Sequence, residues 1–154
     1  MQPPDRAEAR ALRNLRIISE PQASSEDTAI IRDGLARFNV AATQHTYYSP
    51  LAILLRDDRD AVLGGALGDV WGGWLDLTFL WVAEPLRGQG YGEQLLRAAE
   101  DEARAVGCEG IFLETMGFQA RPFYERYGYE VFAELLDRPA GYTSYFMKKI
   151  LAEG

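Results

Sequence analysis

The chain has 154 residues, 47% of them hydrophobic, which suits one domain around a single core and leaves little room for a second. A formal charge of -7 at neutral pH argues against non-specific nucleic-acid binding, because phosphates would be repelled. No run of about 18 apolar residues exists to span a membrane, and MQPPDRAEARALRNLR has no apolar signal-peptide core. One cysteine, Cys108, cannot form an internal disulfide, and no His/Cys/Asp cluster stands at metal spacing. These features point to a cytoplasmic protein with neither membrane nor metal.

In chain order, residues 1–12 read as a polar leader and residues 13–154 as the domain. NLRIISEP predicts a first strand, with Leu15 and Ile17 on one face and Pro21 ending it. SSEDTAIIRDGLARFNVAA predicts a helix: Ser24 with Asp27 resembles a capping box, and Ile30, Ile31, Leu35 and Phe38 repeat at helical spacing on a face to be buried. QHTYYSP is a loop carrying the single histidine, His45, read as a solvated residue. LAILLRDD and AVLGGALGDVWGG predict an antiparallel hairpin around RDDRD, followed by the strand WLDLTFLWV, which Pro85 ends.

A helix is expected from about Gly90 to Val106, burying Leu95, Leu96, Ala99, Ala103 and Val106, with Gly107 as its stop. Cys108 reads as a small buried residue closing that helix. GIFLETM is a short strand, QARPFYERYG a short helix, and YEVFAELL and YTSYFMKKIL two final strands. The order is that of a mixed α/β single domain without internal repeats.

The chemistry concentrates in WVAEPLRGQGYGEQLL, where Arg87 is followed by Gly88, Gly90 and Gly92 at a helix entrance. A Walker loop needs a Gly-Lys-Ser/Thr ending, which is absent, and a dinucleotide fingerprint needs glycine where Glu93 stands. What remains is Arg-x-x-Gly-x-Gly between a strand and a helix. Its free backbone N–H groups and the positive end of the helix dipole would suit an anion such as a pyrophosphate.

VAEPLRGQGYGEQLL resembles the acetyl-coenzyme A signature of the GNAT superfamily of N-acetyltransferases, and PFYERYGYEVF resembles its C-terminal companion. The likeness in element order runs from about Asn14 to Leu151. It implies a GNAT-like mixed sheet of about seven strands, mostly antiparallel with a splayed parallel central pair, flanked by about four helices. Acetyl-CoA would enter between LDLTFLWV and GIFLETM. By the same resemblance, Leu80, Trp81 and Val82 would offer main-chain groups to its acyl-pantetheine arm. Arg87, Gly88, Gln89, Gly90, Tyr91 and Gly92 would surround the pyrophosphate, and Phe123 or the ring of Tyr124 would lie against the pantetheine.

Acetyl transfer to an amine needs a proton acceptor, an oxyanion donor and an acid for the departing thiolate. Tyr124 matches the family tyrosine that in many members protonates the sulfur, and its ordinary pKa near 10 would keep it protonated at neutral pH. A backbone N–H near Val82 is the expected oxyanion donor. For the base, Asp76 falls where the histone-modifying branch carries a glutamate, and simple alternation would place it on one strand face with Thr78, Leu80 and Val82. Glu114 is the alternative, and some members use no dedicated base.

Tyr47, Tyr48, Trp71, Trp74, Tyr142 and Tyr145 supply aromatic surface that, in an acidic protein, would suit a cationic amine. The small size of the domain points to a small-molecule acceptor. A protein lysine or N-terminus, and a CoA-binding module without catalysis, stay open as alternatives. A homodimer is expected by family habit.

Overall fold

The computed structural model describes residues 15–151, so the leader expected over 1–12 lies outside the described residues. The chain divides into two compact units, residues 1–44 and 45–154. Among the described residues, no helix is long and apolar enough to cross a membrane.

In the first unit, helix α1 spans Ser25–Thr43. The expected cap forms: the Asp27 N–H donates to Ser24 Oγ at 3.0 Å, and the Ser24 hydroxyl donates to the Asp27 carboxylate at 2.7 Å. Gln44 ends the helix in the left-handed region. Two expectations change here. Residues 15–20 form no strand, because apolar alternation becomes a strand only where an adjacent edge supplies ladder hydrogen bonds. The stripe of Ile30, Ile31, Leu35 and Phe38 forms at helical spacing but is exposed, since within its own unit this helix has no second layer to pack on.

The second unit holds a six-stranded sheet ordered β1-β2-β3-β4-β6-β5. Its strands are β1 (Tyr48–Arg56), β2 (Val62–Trp71), β3 (Trp74–Val82), β4 (Gly110–Met116), β5 (Glu130–Leu136) and β6 (Thr143–Ile150). Helix α2 covers Tyr91–Ala105 and the short α3 covers Arg121–Arg126. The described residues thus contain six strands and three α-helices, against about seven and four expected.

All neighbours pair antiparallel except β3 and β4, which run parallel and pair only over Trp74–Asp76 and Gly110–Phe112. Beyond Asp76 and Phe112 the two strands continue unpaired for several residues, which opens the expected wedge. Helix α2 covers one face of the sheet. Leu96, Ala99 and Ala103 from the helix join Leu75, Leu77, Ile111, Leu113 and Met147 from the strands in the core. Val106, expected inside, lies past the last turn and is exposed, whereas Cys108 is buried as expected.

One charged side chain goes into this core. The Glu100 carboxylate of α2 is buried and is satisfied by Lys149 Nζ at 2.8 Å, the Tyr129 hydroxyl at 3.2 Å and Arg104 at 3.4 Å. Burial, followed by the neighbouring Glu100 charge, pushes the Tyr129 hydroxyl far up from its ordinary value. A cavity of about 220 Å³ opens beside this network, lined by Leu96, Arg97, Glu100, Arg126, Tyr127 and Lys149. Glu100 and Lys149 are paired with each other there, and the network ties α2 to β6.

A β-bulge decides which side chains reach each face. Leu67 pairs with Phe79 and Gly68 with Leu77, leaving Thr78 as an extra residue on β3. The insertion reverses the alternation, so Leu80 packs on the core while Phe79 and Trp81 are exposed. Asp76 therefore does not share a face with Leu80 and Val82, as uninterrupted alternation predicts. Gly68 permits the bulge: a Cβ there would lie 2.3 Å from the Asp76 carbonyl oxygen. Gly68→Ala is expected to cost about 3 kcal/mol of stability by forcing the two backbones apart. Urea unfolding measures it, and a loss within experimental error would show that the bulge is not held by this contact.

Candidate active site

The site is built where the wedge meets the entrance of α2. After β3, a 3₁₀ turn at Glu84–Leu86 leads into the glycine segment. Arg87 turns back, and its Nε–H donates to the Val82 carbonyl at 3.0 Å, while the Gln89 side-chain amide donates to the Pro85 carbonyl at 2.9 Å. Gly88 and Gly90 hold φ of +74° and +86°, a region other residues enter only with strain. A Cβ on Gly88 would meet nothing within 4 Å, and one on Gly90 only the Gln94 side chain at 3.9 Å. These glycines are thus required first by the backbone path and second by the open space beside it.

Gly90 is the N-cap of α2, and no side chain caps the first turn. Its backbone donors stand at the positive end of a 15-residue helix, a setting that fits a phosphate or pyrophosphate. Glu93, also in that turn, would oppose an anion, but it is held by Arg97 Nε at 2.8 Å and the Tyr127 hydroxyl at 3.0 Å. Arg97, then Tyr127, lowers the Glu93 carboxyl below its ordinary range. Gly92 approaches α3, where a Cβ would touch the Phe123 ring at 3.5 Å, an ordinary contact.

The sequence places Phe123 and Tyr124 together, and the fold brings both to this corner. Their rings meet edge to face at 5.1 Å, and Tyr124 also packs against Tyr129 at 5.7 Å. Tyr124 is buried, and burial pushes its hydroxyl up to about 12 rather than leaving it at the ordinary value. Leu80, Trp81 and Val82 lie on β3 past its last pair with β4, on the edge that borders the wedge.

The two candidate bases are in different states. Asp76 lies on the sheet face opposite α2, with Asp69 directly across on β2, and among the described residues no donor binds its carboxylate. Burial, and then the Asp69 charge, raises its carboxyl above the ordinary range. Asp69 itself accepts a hydrogen bond from the Tyr48 hydroxyl. Glu114, on β4 two residues past Phe112, accepts from the Ser144 hydroxyl and forms an ion pair with Arg138. Sequence reasoning missed Asp69, Ser144 and Arg138, because only strand register and the β5–β6 turn bring them to the site. Among the described residues, no group of three or more His, Cys, Asp or Glu could hold a metal ion.

A parallel strand pair that opens onto an uncapped helix N-terminus, with a buried tyrosine on the next helix, defines an acyl-transfer domain. The chain belongs to the GNAT family of acetyltransferases, whose model matches residues 11–129, and it is an acyltransferase. Acetyltransferase Atu2258 of Agrobacterium fabrum (strain C58) is 37% identical over 127 residues, covering 82% of this chain and 93% of that protein. A blasticidin-S acetyltransferase of Streptomyces morookaense is 42% identical over 95 residues, covering 61% of this chain and 70% of that one. The crystal structure of an acetyltransferase from Agrobacterium tumefaciens matches with a TM-score of 0.83 at 34% identity, over 88% of this chain and 99% of that chain.

Proposed function

We propose that this acyltransferase moves the acetyl group of acetyl-CoA to a primary amine of a small cationic molecule, by direct attack in a ternary complex. The observation that carries the reading is the junction of the β3–β4 wedge with the uncapped entrance of α2. An extended pantetheine arm would run along the edge of Leu80, Trp81 and Val82 that β4 leaves unpaired. The turn from Arg87 to Gly92, with Gln89 and Tyr91, offers donors to a pyrophosphate. Phe123, whose ring lies beside Gly92, would pack against the arm. The likeness to a blasticidin-S acetyltransferase favours a small-molecule acceptor over a protein.

Bound acetyl-CoA supplies an activated acyl carbon and a thiolate leaving group. Asp76 takes the proton of the attacking amine, directly or through water, because its carboxylate is unengaged while that of Glu114 is paired. Tyr124, on α3 at this corner, would stand beside the departing sulfur. A phenol pushed up to about 12 stays protonated at neutral pH and is a hydrogen-bond donor more readily than a proton donor. Tyr124 would therefore stabilise the departing sulfur by donating a hydrogen bond, while the proton that Asp76 takes from the amine passes to solvent, which also protonates the released thiolate.

The test is amine-dependent release of free thiol from acetyl-CoA, against a panel of polyamines, aminoglycosides, amino acids and peptides. Thiol release with a small cationic amine, and with no peptide, is the expected result; binding of acetyl-CoA without release on any amine would overturn the transferase reading. The assignment of Asp76 has its own check. Because the Asp69 charge adds to the raised Asp76 pKa, Asp69→Asn should move the acid limb of the kcat/KM profile to lower pH. An acid limb that stays in place would transfer the base role away from Asp76.

A further inference from the structure

Glu114 stands at the mouth of the wedge with its carboxylate already engaged. One donor is Ser144, a fully buried residue of β6, and the other is Arg138, on the turn of residues 137–142 between β5 and β6. That turn is fastened at a second point. The Tyr142 ring packs edge-on to Phe118 at 4.9 Å, and the neighbouring Gly117 N–H donates to the Thr143 carbonyl at 2.8 Å. Gly117 and Phe118 belong to the connection from β4 to α3, which carries Tyr124. The guanidinium is thus held on the sheet face away from α2, beside the point where β3 and β4 separate.

Asp76 is on that face too. Its partner across the parallel pair is Phe112, and Glu114 is the next β4 residue on the same side. Glu114 lies past the last β3–β4 pair, so the two carboxylates flank the point where the strands separate. An acceptor whose reactive amine sits over Asp76 and whose second cationic group lies a few bonds away would reach Glu114. Ser144 and Arg138 both donate to Oε1, and the guanidinium charge beside Oε2 repels a second cation, so a cationic group that takes the carboxylate drives Arg138 off it. The Arg138 and Glu114 side chains are 49% and 29% exposed, so the pair is of the weakly held kind, but the tether keeps the guanidinium at high local concentration. A monoamine over Asp76 gains nothing from that exchange, whereas a polyamine-like acceptor does. After it, Glu114 keeps the Ser144 hydroxyl as a donor, and Arg138, on a surface turn, moves into water.

We propose that Arg138 is a specificity-determining residue, occupying Glu114 until an acceptor with a second cationic group replaces it there. The proposal rests on the reading of the wedge as the acetyl-transfer site. It is tested by calorimetric titration of spermidine, with n-butylamine as a monoamine control, into the full chain saturated with CoA, which fills its site without turnover. Wild type, Arg138→Ala, Glu114→Gln and the double variant are compared, with Arg138→Gln as a milder change that keeps a hydrogen-bond donor.

Arg138→Ala should bind spermidine at least about fivefold more tightly than wild type, and Arg138→Gln should fall between them. The double variant should bind no better than Glu114→Gln alone, and n-butylamine should stay weak in every protein. A spermidine affinity in Arg138→Ala equal to or below that of wild type overturns the proposal. So does a gain that survives Glu114→Gln, since it would reflect removal of a positive charge in general. Failure of wild type to bind CoA would overturn the acetyl-transfer reading, and this proposal with it.

Discussion

Tyr124→Phe lowers turnover on the acceptor by about 100-fold or more, while its affinity for acetyl-CoA stays within about twofold of wild type. The expectation follows from what the substitution keeps. Tyr124 is a core residue whose ring packs on Phe123 and Tyr129, and phenylalanine preserves that packing while removing only the hydroxyl. A group that acts on the leaving sulfur contributes in the transition state and little in the ground state, so kcat falls and binding does not. Burial sharpens the case, because a hydroxyl raised to about 12 stays protonated across the working range of the enzyme. Steady-state kinetics with a calorimetric affinity for acetyl-CoA measures both quantities. Equal turnover in the two proteins would remove Tyr124 from the chemistry, and a parallel loss of affinity would make it a packing residue for the cofactor.

Gly92→Asp should separate stability from binding by moving them in opposite directions. Gly92 is in the first turn of α2, and a Cβ there meets only the Phe123 ring at an ordinary 3.5 Å. An aspartate is favoured at a helix N-terminus by the dipole and has better helix propensity than glycine, so the melting temperature should hold or rise. The same negative charge would stand beside the pyrophosphate. Acetyl-CoA affinity is expected to fall about 100-fold, the equivalent of about 2.7 kcal/mol. Unchanged affinity in the folded variant would mean that the phosphates lie elsewhere. Gly90 is a poorer place for this test, because its φ of +86° makes any side chain there a backbone perturbation as well.

Much of this protein is written locally. The capping of α1 by Ser24, the hairpin of β1 and β2, the limits of β4, and the start of α2 at the glycine turn depend on short-range periodicity, caps and turns. Such features involve residues a few positions apart, and a linear reading reaches them. The two family motifs added the family and the pairing of β3 with β4, which periodicity alone does not specify.

Tertiary structure decided the rest, because each remaining feature depends on groups far apart in the chain. One extra residue at Thr78, accommodated by Gly68 on the neighbouring strand, turned Leu80 and Val82 away from the face of Asp76. Residues 15–20 have the alternation of a strand but form none, since pattern supplies side chains and not the partner's hydrogen bonds. The apolar stripe of α1 was legible, but whether a stripe is buried depends on a second layer that periodicity does not provide. Tyr124 stands in a motif legible in the sequence, while its shifted hydroxyl is a product of burial. Asp76 and Glu114 look alike in sequence. Only the β4–β6 register and the fold of the β5–β6 turn, which bring Ser144 and Arg138 to one carboxylate and leave the other without a donor, distinguish them.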